Sequence, residues 1–496
     1  MGATATPPAW GQCPAPPASS TIPKITNNSY AIELFQGPLL APTHVTGLAG
    51  AYIASAEDIE GGAVNAASPA VRDPYSTSWF DYDLAVGVSF PGAFTNTDFD
   101  NHGSCSILGN TANSFTNLTL GGQFQFGALG VSMTGDLLQY QVSPGQTASP
   151  TGVFSPFGSS ALTVQIGRWK ALGAYALADG QVIVGGGVRV ITMQMLQSGT
   201  GTVLTMTGLG PEVGALIMPT GHRWRVGVAA RAPVSGGAFG SENVSVSASG
   251  AREVTPTGAT SPLVLPNSLT QPWEIEAGMA FQLGPRPINP GWDNPHEQEV
   301  ELHTEIARDR DTRALRNATD LALAPASERE ALRLQQAAAE KALRAIEDEH
   351  VSEETARLQG VAKARYKNWP REKILLLASV LMTGTSQNAV SVEGFFDQAA
   401  LPVGQSVTYT PRLGLEGEPL ENRMLLRTGT YIEPSRYTTS PYAGGTARQH
   451  FTFGADIHLF PLTFWGLLPD ADWKLGLVVD LAARYQNVGF GIGNWH

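Results

Sequence analysis

The sequence contains few of the residues that mark several common protein classes. Only two of its 496 residues are cysteines, Cys13 and Cys105, and neither has further metal-ligating residues at the spacing of a zinc site. A disulfide-rich scaffold and a cysteine zinc cluster are therefore excluded. Charged residues make up 15% of the chain, the net charge is -12, and no basic stripe is visible, which argues against a nucleic-acid partner.

Long apolar runs are also missing. The longest, "ILLLASVLM" from Ile374, has about half of the ~18 residues that a membrane-spanning helix needs. The start, "GATATPPAWGQCPAPPASS" after Met1, lacks the basic and apolar regions of a secretory signal, and we expect a processed N-terminus with an added Met. A helical membrane protein is excluded, whereas a membrane barrel is not, because its strands need no such run.

Period-two alternation is the strongest pattern in the chain. "WRVGVAARAPV" from Trp224 and "WEIEAGMAFQL" from Trp273 each place apolar residues on one face and charged or small residues on the other. "WKLGLVVDLAARY" from Trp473 repeats the division. In a barrel the charged face points into the lumen, because a charge facing lipid at mid-depth costs roughly 2 to 4 kcal/mol. The predicted luminal charges are Arg189, Arg225, Arg231, Glu274, Glu276, Arg427, Asp480 and Arg484.

The lengths and ends of these segments favour a membrane barrel over a large soluble β protein, which is the alternative. The segments run about ten residues, close to the ~9 to 11 that cross a bilayer, whereas soluble strands typically have ~5 or 6. Aromatic residues at the ends of the apolar faces resemble the girdles of outer-membrane barrels. They are Phe80, Phe90, Trp224, Trp273, Trp473 and Tyr485.

Fourteen strands are predicted, an even number as single-chain bacterial barrels require. Short turns at 127–130, 178–181 and 219–223 are expected in the periplasm, and long connections such as 236–271 outside. The connection at 434–448 is long for a periplasmic turn and conflicts with this count. The predicted strands are 79–91, 114–126, 129–142, 161–177, 181–196, 202–218, 223–235, 272–284, 373–384, 389–397, 406–417, 424–433, 450–460 and 472–486.

Charge is concentrated in one block. Residues 296–371 hold 15 acidic and 13 basic residues, and "SEREALRLQQAAAEKALRAIEDE" begins with a capping box, Ser327 with Glu330. The block is predicted to be helical, and strand parity places it in the periplasm. Two interpretations remain: solvated helices packed on each other or on the body, or a docking surface for a periplasmic or envelope protein.

The stretch before the first strand, "TGLAGAYIASAEDIEGGAVNAASPAVRDP" from Thr46, keeps neither a helical nor a strand period. A lumen inside ~14 strands is too wide for wall side chains to fill. We therefore predict that this small-residue segment is a plug, whose acids Glu57, Asp58 and Glu60 pair with luminal arginines.

This stretch resembles the N-terminal signature of the FadL-type (OmpP/TodX-like) outer-membrane transporters of hydrophobic compounds. Where the family has a proline after the closing asparagine, this chain has Ala66. Two strand motifs also resemble the family, through Trp224, Arg225, Gly227, Arg231, Pro233 and Val234, and through Arg427, Gly429, Tyr431 and Pro434. The predicted hatch residues are Gly47, Gly50, Tyr52, Glu57, Asp58, Asn65 and Pro69. The resemblance itself rests on Gly50, Tyr52, Glu57, Asp58 and Asn65, and Pro69 is the nearest proline after Ala66.

The resemblance, which covers most of the chain except the helical insertion and the first ~40 residues, implies a bacterial outer-membrane barrel of about fourteen antiparallel strands with a luminal hatch. The inserted α-helical segment is predicted from the charged block itself. The barrel would contact outer-membrane lipid and pass hydrophobic, fatty-acid-like small molecules passively. The alternative is a structural or docking barrel that binds an envelope or secretion partner through 296–371. The predicted regions are a Pro-rich extension 1–45, hatch 46–77, strands 78–285, helical insertion 286–371 and strands 372–496.

Catalysis and cofactors find no support in the sequence. No histidine pair has metal-binding spacing, and no nucleophile elbow is present, so we expect neither an enzyme nor a bound metal or cofactor. A Cys13–Cys105 disulfide is within reach, because the roughly 33 residues from Cys13 to Thr46 extend to about 100 Å, against a bilayer of ~40 to 45 Å. Two unpaired thiols or a lipidated Cys13 are the alternatives.

Overall fold

A computed structural model describes residues 23–35, 37–72, 76, 79–92, 98–101, 110–144, 162–197, 201–240, 244–256, 262–291, 295–367, 370, 373–437, 447–462 and 471–495. Cys13 and Cys105 lie outside these residues, and their pairing stays a prediction. Ahead of the first long strand come β1 (Ala31–Glu33), α1 (Thr43–Gly47), α2 (Asp58–Gly61) and a 3-10 turn (Ser68–Ala70).

Long strands form the body of the protein. The first part contains β2 (Phe80–Pro91), β3 (Asn110–Phe126), β4 (Leu129–Pro144), β5 (Leu162–Leu177), β6 (Val182–Gln197), β7 (Gly201–Ile217), β8 (Trp224–Arg231), β9 (Val234–Gly240), β10 (Val244–Val246), β11 (Arg252–Val254), β12 (Leu263–Val264), β13 (Ser268–Gln271) and β14 (Glu274–Leu283). The second part contains α3 (Pro295–Leu323), α4 (Arg329–Lys367), β15 (Ile374–Thr383), β16 (Ala389–Val390), α5 (Val392–Phe396), β17 (Thr408–Leu420), β18 (Met424–Glu433), β19 (Arg448–Leu462), β20 (Ala471–Ala482) and β21 (Tyr485–Asn494).

These strands close into a barrel, because the first long strand, β2, pairs with the last, β21. β8 with β9 and β13 with β14 act as two interrupted strands, and the wall consists of fourteen antiparallel strands. The predicted barrel is confirmed. Closure removes every free strand edge from the bilayer, which a membrane-spanning sheet requires.

Two of the predicted strands are wrong, and the two errors cancel in the count. Residues 389–397 form the two-residue β16 and the helix α5 instead of a barrel strand. Residues 472–486 do not form one strand: β20 ends at Ala482, and β21 begins at Tyr485. The connection 434–447 therefore joins β18 to β19 at the end with the long loops, and its length no longer conflicts with parity.

The turn between β20 and β21 also changes the positions of two residues. Arg484, predicted to line the lumen, lies exposed in this turn with a positive φ of 56°. Tyr485, predicted to face lipid, is only 1% exposed and lies inside the barrel. The turn interrupts the alternation between lipid-facing and lumen-facing residues. An alternation counted from Trp473 therefore predicts the wrong face for residues after Ala482. Trp473, predicted to face lipid, is buried as well, at 6%.

The outer surface has the apolar band that a bilayer requires. Met133, Leu209 and Leu413 are each more than half exposed, and strands such as β14 alternate between exposed apolar and buried polar residues. Phe90 is exposed, and Trp224 and Trp273 are partly exposed. The chain is a membrane-spanning barrel of the outer-membrane type, with its short turns at the periplasmic end.

The N-terminal part of the described chain adds a parallel strand at the outer end. β1 lies between β13 and β16 and pairs in parallel with both. Ile25 N donates to Gln398 O in the connection after β15, so the chain before β1 lies among the outer loops. From β1 the chain descends through 34–35 and 37–42 to α1 inside the barrel.

The helical block is an antiparallel hairpin of α3 and α4 at the periplasmic end. Arg310 Nε donates to Glu347 Oε2 at 2.6 Å, and Arg313 binds the same carboxylate. No side chain that the structure describes between 297 and 358 is buried. Among the described residues, no helix carries an apolar stretch sufficient for a membrane span.

Candidate functional site in the barrel lumen

Residues 43–71, here called the luminal segment, lie inside the barrel and contact its wall around the whole circumference. α1 packs on β18 to β21, α2 on β2 and β3, and the 3-10 turn on β3 to β6. Small residues allow this path, because the segment turns sharply: Ala49 and Gly50 both have positive φ values, 55° and 76°. The segment is nearly all buried.

Glycines in the wall make room for the luminal segment. A methyl group added at Gly227 would overlap the carbonyl oxygen of Ile53, and one added at Gly185 would overlap that of Ala66. These inward positions therefore need residues without a Cβ so that two backbones can approach. Close backbone contacts also occur at Gly130, Gly214 and Gly429. Gly121 and Gly476 face the side chains of Ile59 and Thr43, and a methyl group added at Gly454 would lie 3.1 Å from the Cα of Gly47.

Polar wall side chains bind the backbone of the luminal segment. Lys170 Nζ donates to Ala63 O at 2.7 Å, and Arg412 donates to Gly50 O at 3.3 Å. Thr452 Oγ1 donates to Gly47 O at 2.9 Å. A buried backbone group without a partner is costly, so these wall residues stabilise an otherwise irregular chain.

The acidic residues of the segment bind cations on the wall. Glu57 pairs with Arg225, as the sequence suggested for an arginine. Lys474 Nζ lies 2.7 Å from Glu60 Oε2 and 3.9 Å from Asp58 Oδ2. His44, Asp58 and Glu60 have potential metal-ligating atoms within 4.8 Å of one another, but the Lys474 ammonium already supplies a cation there.

Wall charges form a belt at the level of the luminal segment. Glu274 Oε2 lies 3.5 Å from Arg189 and 3.4 Å from Arg231, and Glu276 Oε1 lies 2.9 Å from Arg412. Arg231 also donates to Val64 O of the luminal segment. The belt therefore holds both the wall strands and the segment, and its charges are neutralised by one another.

A second buried network lies nearer the outer end. His450 Nδ1 is 2.9 Å from Asp480 Oδ1, and its Nε2 is 2.7 Å from Glu433 Oε2. Tyr431 Oη donates to Asp480 at 2.8 Å and accepts from Leu39 N at 3.1 Å. The descending chain at 34–35 and 37–42, here called the strap, is therefore bonded to the wall.

The outer half of the lumen is filled by an apolar cluster. Inward residues of β4 to β7 contribute to it, as do Ile32 and Leu34 of the N-terminal chain and Phe395 and Phe396 of α5. Both phenylalanines are fully buried, at 0% exposure. The wall members of the cluster are Leu138, Tyr140, Val142, Leu162, Val164, Ile166, Ile191, Met193, Met195, Leu204 and Met206.

A cavity of 210 Å³ lies between this cluster and the luminal segment. Its apolar lining comes largely from the strap and the segment, and its polar lining from the charged belt. Below the segment, a second cavity of 1020 Å³ opens at the periplasmic end, lined by Glu57, Asp58, Lys373 and other polar residues. The upper cavity is lined among others by Leu34, Phe35, Leu39, Leu40, Ile59, Val64, Ile191, Lys170, Arg189 and Arg231.

The structure brings most of the residues predicted from sequence together. Gly47, Gly50, Tyr52 and Pro69 are part of the luminal segment, and Asn65 Nδ2 bridges Ile53 O and Ala215 O. Their role as a hatch stays a prediction. The predicted luminal charges are buried apart from Arg484, but most pair with other wall residues instead of the segment. Arg427 lies 2.7 Å from Glu416 and 2.9 Å from Asp456, and Asp480 binds His450.

Several contacting residues were not found from the sequence: Lys170, Arg412, Glu416 and Asn289. Lys170 and Arg412 occupy inward positions of β5 and β17. Assigning alternate residues of every predicted strand to the lumen would have identified both. Asn289 lies outside any strand, and no sequence signal marks it.

No family model matches the chain, and no curated protein matches it. Solved structures with a similar overall arrangement include the CymD monoaromatic hydrocarbon channel, with 9% identity and a TM-score of 0.45 over 92% of this chain and 96% of that one. A TodX deltaS2S3 mutant monoaromatic hydrocarbon channel has 10% identity and a TM-score of 0.43 over 89% and 98%. The COG4313 outer membrane channel from Pseudomonas putida F1 has 9% identity and a TM-score of 0.30 over 83% and 94%. Sequence identities and TM-scores this low do not support an inference about function, which therefore rests on the geometry of this chain.

Proposed function

We propose that the protein is a passive outer-membrane channel for hydrophobic, fatty-acid-like molecules, and that the luminal segment is its hatch. The observation that carries the proposal is the 210 Å³ cavity inside the barrel. Leu34, Leu39 and Ile59 line its apolar side, and Lys170 and Arg189 line it with positive charge. A cavity with one apolar side and one side lined by charged groups suits an amphipathic small molecule. The hydrocarbon body would contact the leucines, and the carboxylate would lie towards the cations.

A ligand would reach this cavity from outside past α5 and the strap, and would leave past the luminal segment. The outer apolar cluster favours an apolar ligand energetically, because each buried CH₂ contributes about 0.8 kcal/mol. Transport of this kind uses no chemical step, and we assign no residue a catalytic role.

Proteoliposomes containing the full-length protein test the proposal. Laurate should enter faster than into empty liposomes, whereas glucose should not. Ala63 lines the cavity, so Ala63→Trp should fill it and slow laurate entry. The matched control is Val228→Trp, because Val228 is 45% exposed on the outer face. Equal laurate entry with and without the protein would refute the function.

A docking role is the second candidate, and exposed apolar residues on the hairpin favour it. Leu315, Leu323 and Leu334 are 72%, 80% and 64% exposed, and Ile346 is 61% exposed. Native mass spectrometry of the detergent-extracted protein separates the two functions. A retained lipid-like ligand supports transport, whereas a stoichiometric protein that is lost when the hairpin is deleted supports docking.

A further inference from the structure

The base of the helical hairpin lies against the luminal segment. Residues 286–291 lead into α3, and Lys373 follows α4, so Ile288, Asn289 and Lys373 are here called the hairpin roots. Ile288 is only 7% exposed and belongs to the same apolar cluster as Tyr52 and Ile53 of the luminal segment. The first root therefore packs inside the periplasmic mouth of the barrel.

Arg225 joins this first root to the luminal segment. Its guanidinium donates to Glu57 of the segment, to Ile288 O, and through Nε to Asn289 Oδ1 at 2.7 Å. Asn289 is 4% exposed, and its amide nitrogen donates to Trp224 O at 2.8 Å and to Pro219 O at 3.0 Å. One arginine thus holds the segment and the root together.

Glu416 makes the corresponding link at the second root. Lys373 Nζ lies 2.7 Å from Glu416 Oε1. Glu416 Oε2 lies 3.0 Å from His44 Nε2 of the luminal segment and 2.7 Å from Arg427 Nε. Each root is therefore linked to the luminal segment through a single buried ionic residue, Arg225 at the first root and Glu416 at the second.

We propose that the periplasmic hairpin controls the luminal segment, holding it closed while both roots are seated. This inference rests on the proposed function, because it assigns the regulation of the same hatch. Withdrawal of the roots would take a partner from Arg225 and from Glu416, and would weaken their hold on Glu57 and His44. α4 alone has 39 residues and extends about 58 Å, so the hairpin offers a long exposed surface on which a partner could bind and pull.

Where the structure describes their side chains, the hairpin helices bury no part of the barrel core. A role in stabilising the barrel therefore explains poorly why the hairpin roots are bonded to the luminal segment through Arg225 and Glu416. No described side chain between 297 and 358 is buried. Ile288 and Asn289 of the roots, in contrast, are buried, and the partly exposed Lys373 binds the buried Glu416. Asn289 and Lys373 therefore act as positioning residues for Arg225 and Glu416.

Ion conductance of the full-length protein in planar bilayers tests the inference, because it requires no cargo. Asn289→Leu and Lys373→Met alter the roots without touching the luminal segment. A hydrogen bond to a charged group shifts an equilibrium by about tenfold, so each variant should raise the open population by about that factor. Arg344→Gln is the matched control, because Arg344 pairs with Glu340 on the exposed surface of α4 at 3.3 Å and contacts neither root.

Deletion of 295–367 with a short Gly-Ser linker gives the second measurement and does not depend on the point variants folding. A nitroxide at Ala63→Cys, in a Cys13→Ser and Cys105→Ser background, reports motion of the luminal segment. We expect a mobile spectrum and raised conductance in the deletion variant. A folded deletion variant with wild-type conductance and spectrum would overturn the inference. Failure of laurate entry alongside hairpin-dependent conductance would instead reject the proposed cargo alone.

Discussion

Lys474 Nζ lies 2.7 Å from Glu60 Oε2, which ties a strand near the end of the chain to the segment before its first barrel strand. The ammonium is also 3.5 Å from Asp456 Oδ2. Both partners of the 2.7 Å pair are buried, with side chains 8% and 4% exposed. The luminal segment is thus held by a buried ionic contact and by packing.

Lys474→Met should loosen the luminal segment. Removing one partner of a buried ion pair leaves uncompensated charge and typically costs about 3 to 5 kcal/mol. We expect higher ion conductance and a lower unfolding temperature, measured by the heat-dependent mobility shift in SDS gels. In the double variant Lys474→Met with Glu60→Gln, the carboxylate that the single variant leaves without its ammonium partner is also neutral. The double variant should therefore recover part of the lost unfolding temperature. No recovery would show that the contact itself carries little energy.

Gly227→Val should displace the luminal segment by steric overlap. A Cβ at Gly227 meets the backbone of Ile53 and Ala54, which cannot rotate away. Overpacking of this kind typically costs about 1 to 3 kcal/mol. We expect raised conductance with the barrel still closed. Gly173→Val is the matched control, because a methyl group added at Gly173 in β5 would meet no atom within 4 Å. Similar conductance of both variants would contradict close contact at Gly227.

The barrel could be predicted from sequence because every wall strand meets lipid on one face and the lumen on the other. That asymmetry imposes alternation, as in "WEIEAGMAFQL". The failures have physical causes as well. The turn at Ala483 and Arg484 contains no glycine or proline, so nothing in the sequence marked the end of β20. The run at 389–397 is apolar because it is buried among the outer loops, and its apolar residues were mistaken for the lipid face of a strand.

For the ion pairs inside the lumen, the sequence predicted the types of residue involved but not which residues pair with each other. Sequence indicated acids in the segment and cations on the wall, yet the pairing of Glu60 with Lys474 spans 414 positions and depends on barrel closure. β1 was missed because a three-residue parallel strand leaves no periodic signal. The Cys13–Cys105 disulfide stays a prediction, and non-reducing peptide mapping that finds both thiols free would remove it.

The helical hairpin should weaken on acidification. The hydrogen bond from Arg310, together with that from Arg313, holds the pKa of Glu347 below its usual 4.5. Because the folded-state pKa is lowered, the stabilisation is fully present above pH 4.5 and is lost as the pH falls through the lowered value. Nitroxides at Ala314→Cys and Ala339→Cys in the cysteine-free background should show a broadened distance distribution below that pH.

Glu347→Gln provides the control for this pH effect. The variant lacks the titrating carboxylate, so its distance distribution should already be broader at pH 7 and should change less on acidification. An unchanged distribution in the wild-type protein between pH 7 and pH 3 would show that the Arg310 and Glu347 contact does not hold the helices together.

Phe395→Ala with Phe396→Ala should ease entry from the outer side. Both rings are fully buried in the outer apolar cluster, and a Phe→Ala change in a core typically costs about 3 to 5 kcal/mol through lost contacts and a new cavity. The lost contacts destabilise the packing of α5 and the strap, whereas the luminal segment keeps its bonds to Lys170 and Lys474. Laurate should therefore bind faster in stopped-flow fluorescence, while ion conductance stays close to that of the wild type. Slower binding would mean that the two rings form part of the ligand's own path instead of closing it.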